Sequence, residues 1–266
     1  MARLLVFGPG YTASHISAAV QARGFTVETV GRARIGDDRA VAAAIGAASH
    51  ILSSVPPDGD ADPVLARHGT ALADCGAQWI GYLSSTGVYG DTGGAWVDES
   101  AMVGAGRRTA RTAADLAWSV LHREARVFRL PGIYGPGRSA IDRVTAGGAR
   151  RIDLPGQVFS RIHVNDIVGG VLASIDRGPP GLYNLADDRP ASQNSVIEAA
   201  CDLLGLSHPP LQSLDEVELS PAARAFYAEN RRVANGKAKR LLGWRPLYPD
   251  YRAGLRAIRI GMTPDG

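Results

Sequence analysis

A short apolar run, Leu4-Leu5-Val6-Phe7, ends in Gly8-Pro9-Gly10, and a segment with helical patterning follows at once. No other feature constrains the chain as tightly as this Gly8-x-Gly10-x-x-Ala13 spacing. The run reads as a buried parallel strand, because both of its faces are apolar. The first glycine makes the turn, the second lets a pyrophosphate approach the backbone, and the small Ala13 lets the helix sit close on the sheet. The N–H groups of Tyr11 and Thr12 then stand at the positive end of a helix dipole, where phosphate is held.

Strand and helix patterns alternate from there on. Strands are expected over residues 25–30, 50–55, 79–84 and 126–130, and helices over residues 14–23, 63–76 and 109–124. Such alternation gives an α/β fold with helices on both faces of a parallel sheet of about seven strands, a Rossmann-like doubly wound architecture. The connection from Val30 to His50 is too short for a helix, a strand and another helix. The third strand is therefore expected to be vestigial, around residues 33–35, or missing. Residues 1–130 form the expected dinucleotide-binding core. Residues 131–266, which begin at Pro131-Gly132, are expected to form a small substrate-side lobe interleaved with returning core elements. In that half, residues 166–175, 193–204, 220–230 and 235–242 read as helices, and residues 182–185 as a strand.

Composition excludes more than it assigns. The 266 residues carry 29 basic and 26 acidic side chains, a net charge of +3, with no basic run, so nucleic acid is not an expected partner. No stretch approaches ~18 apolar residues, so no membrane span is expected. Cys75 and Cys201 fit no metal or redox spacing, the six histidines form no zinc motif, and no metal is expected. With no leader pattern before residue 7, a cytoplasmic protein is expected.

The residue ending the second strand bears on the cofactor. A carboxylate there would bond a ribose 2′-hydroxyl, whereas an arginine suits a 2′-phosphate. The sequence reads Val30-Gly31-Arg32-Ala33-Arg34, with Glu28 inside the strand. Arg32, with Arg34 second, favours NADP over NAD. Arg129 and Arg161 can each meet an anionic substrate or hold a buried carboxylate. Asp166 is expected to cap the helix after it, Asp98-Glu99-Ser100 to form a surface turn, and Trp244 to pack the C-terminal lobe.

Ser84-Ser85-Thr86-Gly87-Val88-Tyr89-Gly90 resembles the strand-end motif of extended short-chain dehydrogenases and sugar-nucleotide epimerases. So do Arg129-Leu130-Pro131-Gly132-Ile133-Tyr134-Gly135-Pro136-Gly137, Arg161-Ile162-His163-Val164-Asn165-Asp166 and the closing Leu242-Gly243-Trp244-Arg245-Pro246. The likeness is nearest to the small atypical YeeZ-like subgroup. The resemblance implies that Ser85, four residues before Tyr89, bonds the substrate oxygen while hydride moves at the adjacent carbon. It also implies a catalytic Tyr, a Lys four residues later and a Glu four beyond that. Asp115 matches the carboxylate, which puts Arg111 at the Lys position and Arg107 at the Tyr position. The catalytic Tyr is therefore absent. Arg111 can still bond the nicotinamide ribose but cannot give up a proton near neutral pH. Tyr89, Tyr134 and His163 are the candidate replacement acids, with Tyr134 first. Two functions follow from this. One is an NAD(P)-dependent oxidoreductase or epimerase acting on a small polar, nucleotide-linked or free, substrate. The other is a non-catalytic NADP-binding sensor or scaffold. The small-residue face of the helix over 109–124 also offers a homodimer surface.

Overall fold

The computed structural model describes residues 1–106, 109–218, 224 and 227–262. Its strands are β1 (Arg3–Phe7), β2 (Thr26–Val30), β3 (His50–Ser53), β4 (Trp79–Ser85), β5 (Trp96–Val97), β6 (Ala125–Leu130), β7 (Gly132–Tyr134), β8 (Arg151–Ile152), β9 (Arg161–His163), β10 (Gly181–Asn184), β11 (Leu211–Gln212) and β12 (Arg232–Val233). The helices are α1 (Tyr11–Ala22), α2 (Asp38–Ala47), α3 (Pro63–Ala73), α4 (Thr109–Leu121), α5 (Ala140–Thr145), α6 (Val164–Arg177), α7 (Gln193–Leu204), α8 (Gly236–Leu242) and α9 (Tyr251–Gly261).

The central sheet runs β10-β6-β4-β3-β1-β2, and every neighbouring pair is parallel. It has six strands rather than about seven, because none forms between Val30 and His50. A turn over residues 32–36 leads directly into α2, whose first turn is capped by the Asp37 carboxylate accepting the Ala40 N–H at 3.0 Å. β2 is therefore a sheet edge. Glu28 on that edge pairs with Arg34 at 3.1 Å and Arg3 at 3.8 Å. Charged side chains of this kind discourage a foreign strand from adding to an open edge.

The chain steps from β1 to β2 on one side and returns to β3 on the other. The carboxyl ends of β1 and β3 thus border the crevice where open α/β sheets bind ligands. One sheet face is covered by α1, α6 and α8, with Trp79, Phe128 and Tyr183 fully buried. Trp244 joins that core, and its Nε1 donates to the Asp166 carbonyl at 3.0 Å, so it packs the main sheet as well as the C-terminal segment. The other face is covered by α2, α3 and α4 around Phe7, Tyr82 and Trp118. Burying each such side chain contributes roughly 1.5–3 kcal/mol. The segment expected as a helix over 220–230 lies mostly outside the described residues.

A buried ion pair ties α4 to β6. Arg129 Nη2 donates to Asp115 Oδ1 at 2.6 Å, and its Nε reaches both carboxylate oxygens at 3.1 and 3.2 Å. The question left open for Arg129 is answered: it holds a buried carboxylate. Its Nη1 donates to Tyr89 Oη at 3.1 Å, and Tyr89 donates to Asn184 Oδ1 at 2.8 Å. The Asn184 N–H donates to Glu99 at 2.7 Å. Glu99 is thus half-buried and bonded, not part of a simple surface turn, and burial raises its pKa.

Removing one partner of a buried pair leaves an uncompensated charge. Asp115→Ala should lower unfolding free energy by about 3–5 kcal/mol, measured by urea denaturation, and Asp115→Leu/Arg129→Met should recover most of that loss.

Candidate active site

The turn after β1 is built on two glycines with different tasks. Gly8 has φ +75°, and a Cβ there would lie 2.8 Å from Val55 Cγ2. The Gly8 N–H donates to the Val30 carbonyl at 3.0 Å, and Ser54 Oγ donates to the Gly8 carbonyl at 2.5 Å, fixing the turn between β1, β2 and β3. Gly10 is extended and begins α1 with no side-chain cap, and nothing lies within 4 Å of where its Cβ would stand. The first-turn N–H groups of Tyr11, Thr12 and Ala13 therefore open on free space that the phosphates of a dinucleotide fit. Ala13 is fully buried in the core, and Thr12 is buried beside it. Tyr11 reaches across the crevice. Its hydroxyl donates to the Pro136 carbonyl at 3.1 Å, and the Arg138 guanidinium lies 5.6 Å from its ring centroid.

The two arginines after β2 differ. Arg34 donates to the Thr29 carbonyl at 2.9 Å and to Glu28 at 3.1 Å, so it is committed to the sheet edge. Arg32 is exposed and makes no hydrogen bond or ion pair among the described residues.

Successive residues at the end of β4 face opposite ways. Ser84 donates to Asp115 Oδ2 at 2.6 Å inside the core. Ser85 turns to the crevice and accepts the Gly87 N–H at 3.1 Å, capping the single 3₁₀ turn Thr86–Tyr89. Arg111 lies on α4, one turn before Asp115, and its Nη1 donates to Tyr82 Oη at 3.0 Å. Tyr82 is stacked on Trp118 at 5.1 Å, and burial pushes its phenol up to about 12. Gly10, Tyr11, Thr12, Ser85 and Arg111 all line one cavity of about 1030 Å³. Arg107, at the position of the family tyrosine, lies outside the described residues.

None of the three candidate acids presents a proton donor to this cavity. Tyr89 is bound into the ion-pair network. Tyr134 contributes its ring to the cavity wall, but its hydroxyl sits under the first turn of α9, 3.5 Å from the Asp250 carbonyl. A Cβ on Gly254 would lie 2.1 Å from that hydroxyl. Burial raises its pKa far above the ordinary value. His163 accepts the Asn165 N–H on Nδ1 at 3.1 Å and caps α6. Its ring packs on Tyr134 and Tyr248, and burial pushes it down to about 4. With His163 as cap, Asp166 is free for a different task. It is buried and accepts the N–H groups of Leu247 at 2.5 Å and Tyr248 at 3.3 Å, fastening the C-terminal segment.

Sequence reasoning missed several residues of the same cavity: Phe159, Tyr227, Arg143 and Arg231. Arg143 lies in the short helix α5 and Arg231 just before β12, and only long-range pairing brings them together. Among the described residues, no cluster of three metal-ligating side chains occurs, and no helix is long and apolar enough to cross a membrane.

No protein-family profile matches the chain. A conserved protein of unknown function from Silicibacter pomeroyi is 42% identical, with a TM-score of 0.87 over 98% of this chain and 99% of that one. The chain belongs to one family with that protein. Its fold is that of the NAD-dependent epimerases and dehydratases. A Thermotoga maritima UDP-glucose 4-epimerase solved with UDP-glucose superposes with a TM-score of 0.75 at 15% identity, over 98% of this chain and all of that one. A Bacillus anthracis dTDP-glucose 4,6-dehydratase solved with NAD gives 0.74 at 14% identity, over 98% and 96%. A 3-diazoavenalumate denitrifying reductase from a Streptomyces species is 32% identical over 143 residues. That match takes in 48% of this chain and 45% of the reductase, about half the length of that curated relative.

A buried carboxyl near the cavity wall gives a pH test. Asp187 accepts the Arg189 N–H at 3.3 Å on one oxygen, while the other has no hydrogen-bond partner among the described residues, and burial pushes its pKa up to about 8 despite the pull of Arg161. The folded value exceeds the ordinary 3.8. The folded state therefore binds a proton that the unfolded state has released, and this stabilisation fades as pH rises toward about 8. Thermal melts of Asp187→Asn should gain on the parent protein as pH is raised from about 4 to 8, with little difference at the acid end.

Proposed function

We propose that the protein is an NAD(P)-dependent oxidoreductase acting on a small polar substrate. The observation that carries this reading is the open cavity that runs from the first turn of α1 to Ser85 and Arg111. A bound nicotinamide dinucleotide would supply or accept the hydride. In this reading the first-turn N–H groups of α1 bind its phosphates, and Gly8, Gly10 and Ala13 shape the backbone that presents them. Arg111, held by Tyr82, takes the ribose hydroxyls, and Ser85 donates to the substrate oxygen. The remaining proton of a reduction comes from water, since the Tyr89 and Tyr134 hydroxyls are hydrogen-bonded elsewhere and His163 is not part of this cavity's lining. The motif pattern supports a place beside the YeeZ-like subgroup, and the reductase relative is consistent with hydride transfer.

Arg32 supports NADP over NAD, because it is the unpaired guanidinium at the end of β2, where a 2′-phosphate would lie. Fluorescence titration should show NADPH binding about tenfold or more tightly than NADH, and Arg32→Asp should reverse that order. Ser85→Ala should keep cofactor affinity and lose hydride transfer by roughly 10²-fold or more. Cofactor binding with no turnover on any acceptor would instead favour the sensor.

We also propose a homodimer through α4, whose outer face carries Ala113, Leu116, Ala117 and Val120, the last 84% exposed. Leu and Val left open on one helical stripe suit a second copy of the same helix. Light scattering should give twice the chain mass, and Val120→Arg should give a monomer.

A further inference from the structure

Beyond Ser85 the cavity has a cationic end that the cofactor reading leaves unused. Arg143 of α5, Arg161 of β9 and Arg231 just before β12 line it. Phe159 and Tyr227 make an aromatic corner beside them, with ring centroids 5.9 Å apart and planes at 78°. The Arg161 guanidinium lies 5.9 Å from the Phe159 ring centroid. Phe159 bridges Ala191 on one side and Arg231 on the other, so backbone pairing fixes this corner without a ligand.

The three guanidiniums are not equally neutralised. Arg231 donates to Glu229 at 2.8 Å and to the Gly90 carbonyl at 2.6 Å. Arg161 is buried and donates to the carbonyls of Phe159 and Ala191 at 2.8 Å each and to Gln193 Oε1 at 3.1 Å, all uncharged acceptors. The Arg143 side chain is exposed, and its guanidinium makes no hydrogen bond or ion pair among the described residues. Burial lowers the Arg161 pKa to about 10 against the pull of the Asp187 carboxyl, and the nearby Arg143 adds a smaller push in the same direction as burial. The remaining carboxylate of the lining, Asp142, is taken up by Ser139 in a capping box. Two guanidiniums therefore line this end of the cavity, Arg161 sharing its charge with the buried Asp187 carboxyl and Arg143 with no carboxylate partner among the described residues, which makes a bound anion's contribution favourable.

Size limits what that anion belongs to. The whole cavity, about 1030 Å³, is near the top of the ~300–1,000 Å³ usual for one drug-sized ligand. It must also take the reactive half of a dinucleotide, so the space that remains suits one further ligand of drug-like size or smaller. Resting on the hydride-transfer reading of this cleft, we propose that its substrate is a small aromatic or conjugated carboxylate. Arg143 and Arg161 hold its anionic group, and Phe159 and Tyr227 pack against its planar part.

Calorimetry on the full chain, with and without saturating NADP⁺, tests this with trans-cinnamate, its neutral counterpart cinnamamide, and UDP. Cinnamate should bind about tenfold more tightly than cinnamamide and more tightly than UDP, as expected for one charge-assisted contact. Arg143→Gln, at an exposed position that leaves the buried Arg161 in place, should cost about tenfold for cinnamate and leave cinnamamide and NADP⁺ unchanged. Equal binding of acid and amide, preference for UDP, no binding of cinnamate, or indifference to Arg143→Gln overturns the proposal. Loss of NADP⁺ binding with cinnamate selectivity intact counts against the oxidoreductase reading and leaves the anion site standing. NADP⁺ binding without acid selectivity does the reverse.

Discussion

The Asp115–Arg129 pair is the interaction on which the arrangement of the cleft depends. Both groups are withdrawn from water, which costs several kcal/mol per ion before their attraction is counted. The cost is offset because nearly every donor and acceptor of the pair is used: three contacts between them, Ser84 on the carboxylate and Tyr89 on the guanidinium. Through these bonds the pair sets β4, β6, α4 and the 3₁₀ turn relative to one another, and through Asn184 it reaches β10. Ser85 faces the cleft because its neighbour Ser84 is held inward. Arg111 reaches the same cleft because it precedes Asp115 by one turn of the same helix. The positions of both residues are inherited from a contact neither of them makes.

The local features were legible in the sequence. The glycine turn after β1 needs only a strand, a positive φ and a small third residue, all within a few positions. The helix Gln193–Leu204 was readable to the residue, because Ser192 caps it and Gly205 ends it in the left-handed conformation. The short link after β2 could be weighed by length alone. Asp115 was reached by its likeness to the family carboxylate and not by helical periodicity, Arg111 was placed by its spacing from it, and the role of each of the two arginines, Arg129 and Arg161, was left open. Contacts spanning many residues decide that choice, and a single sequence carries no record of them.

Motifs misled where their side chains are consumed by packing. Tyr134 and His163 lie in stretches whose family likeness suggested chemistry, yet their rings meet edge to face with centroids 5.2 Å apart, and the Tyr134 hydroxyl and His163 Nδ1 turn toward backbone. Asp166 sits at the start of a helix, where a cap is the ordinary expectation, but the preceding His163 already fills that role. Arg143 and Arg231 at the far end of the cavity were hidden for the opposite reason. They come from α5 and from the residue before β12, and nothing local distinguishes them from solvated surface residues.

The missing third strand has an evolutionary consequence. In a full sheet, the region beyond β2 would be packed between helices, and substitutions there would disturb the core. Here the chain passes from β2 into a solvent-facing turn, and the Arg32 side chain is exposed and makes no hydrogen bond or ion pair among the described residues. Exposed substitutions of that kind usually change stability by less than about 0.5 kcal/mol. A lineage carrying this fold can therefore exchange charge at that turn by single codon changes at almost no cost in folding, and the residue there can drift between close relatives while the β4–β6–α4 framework stays fixed.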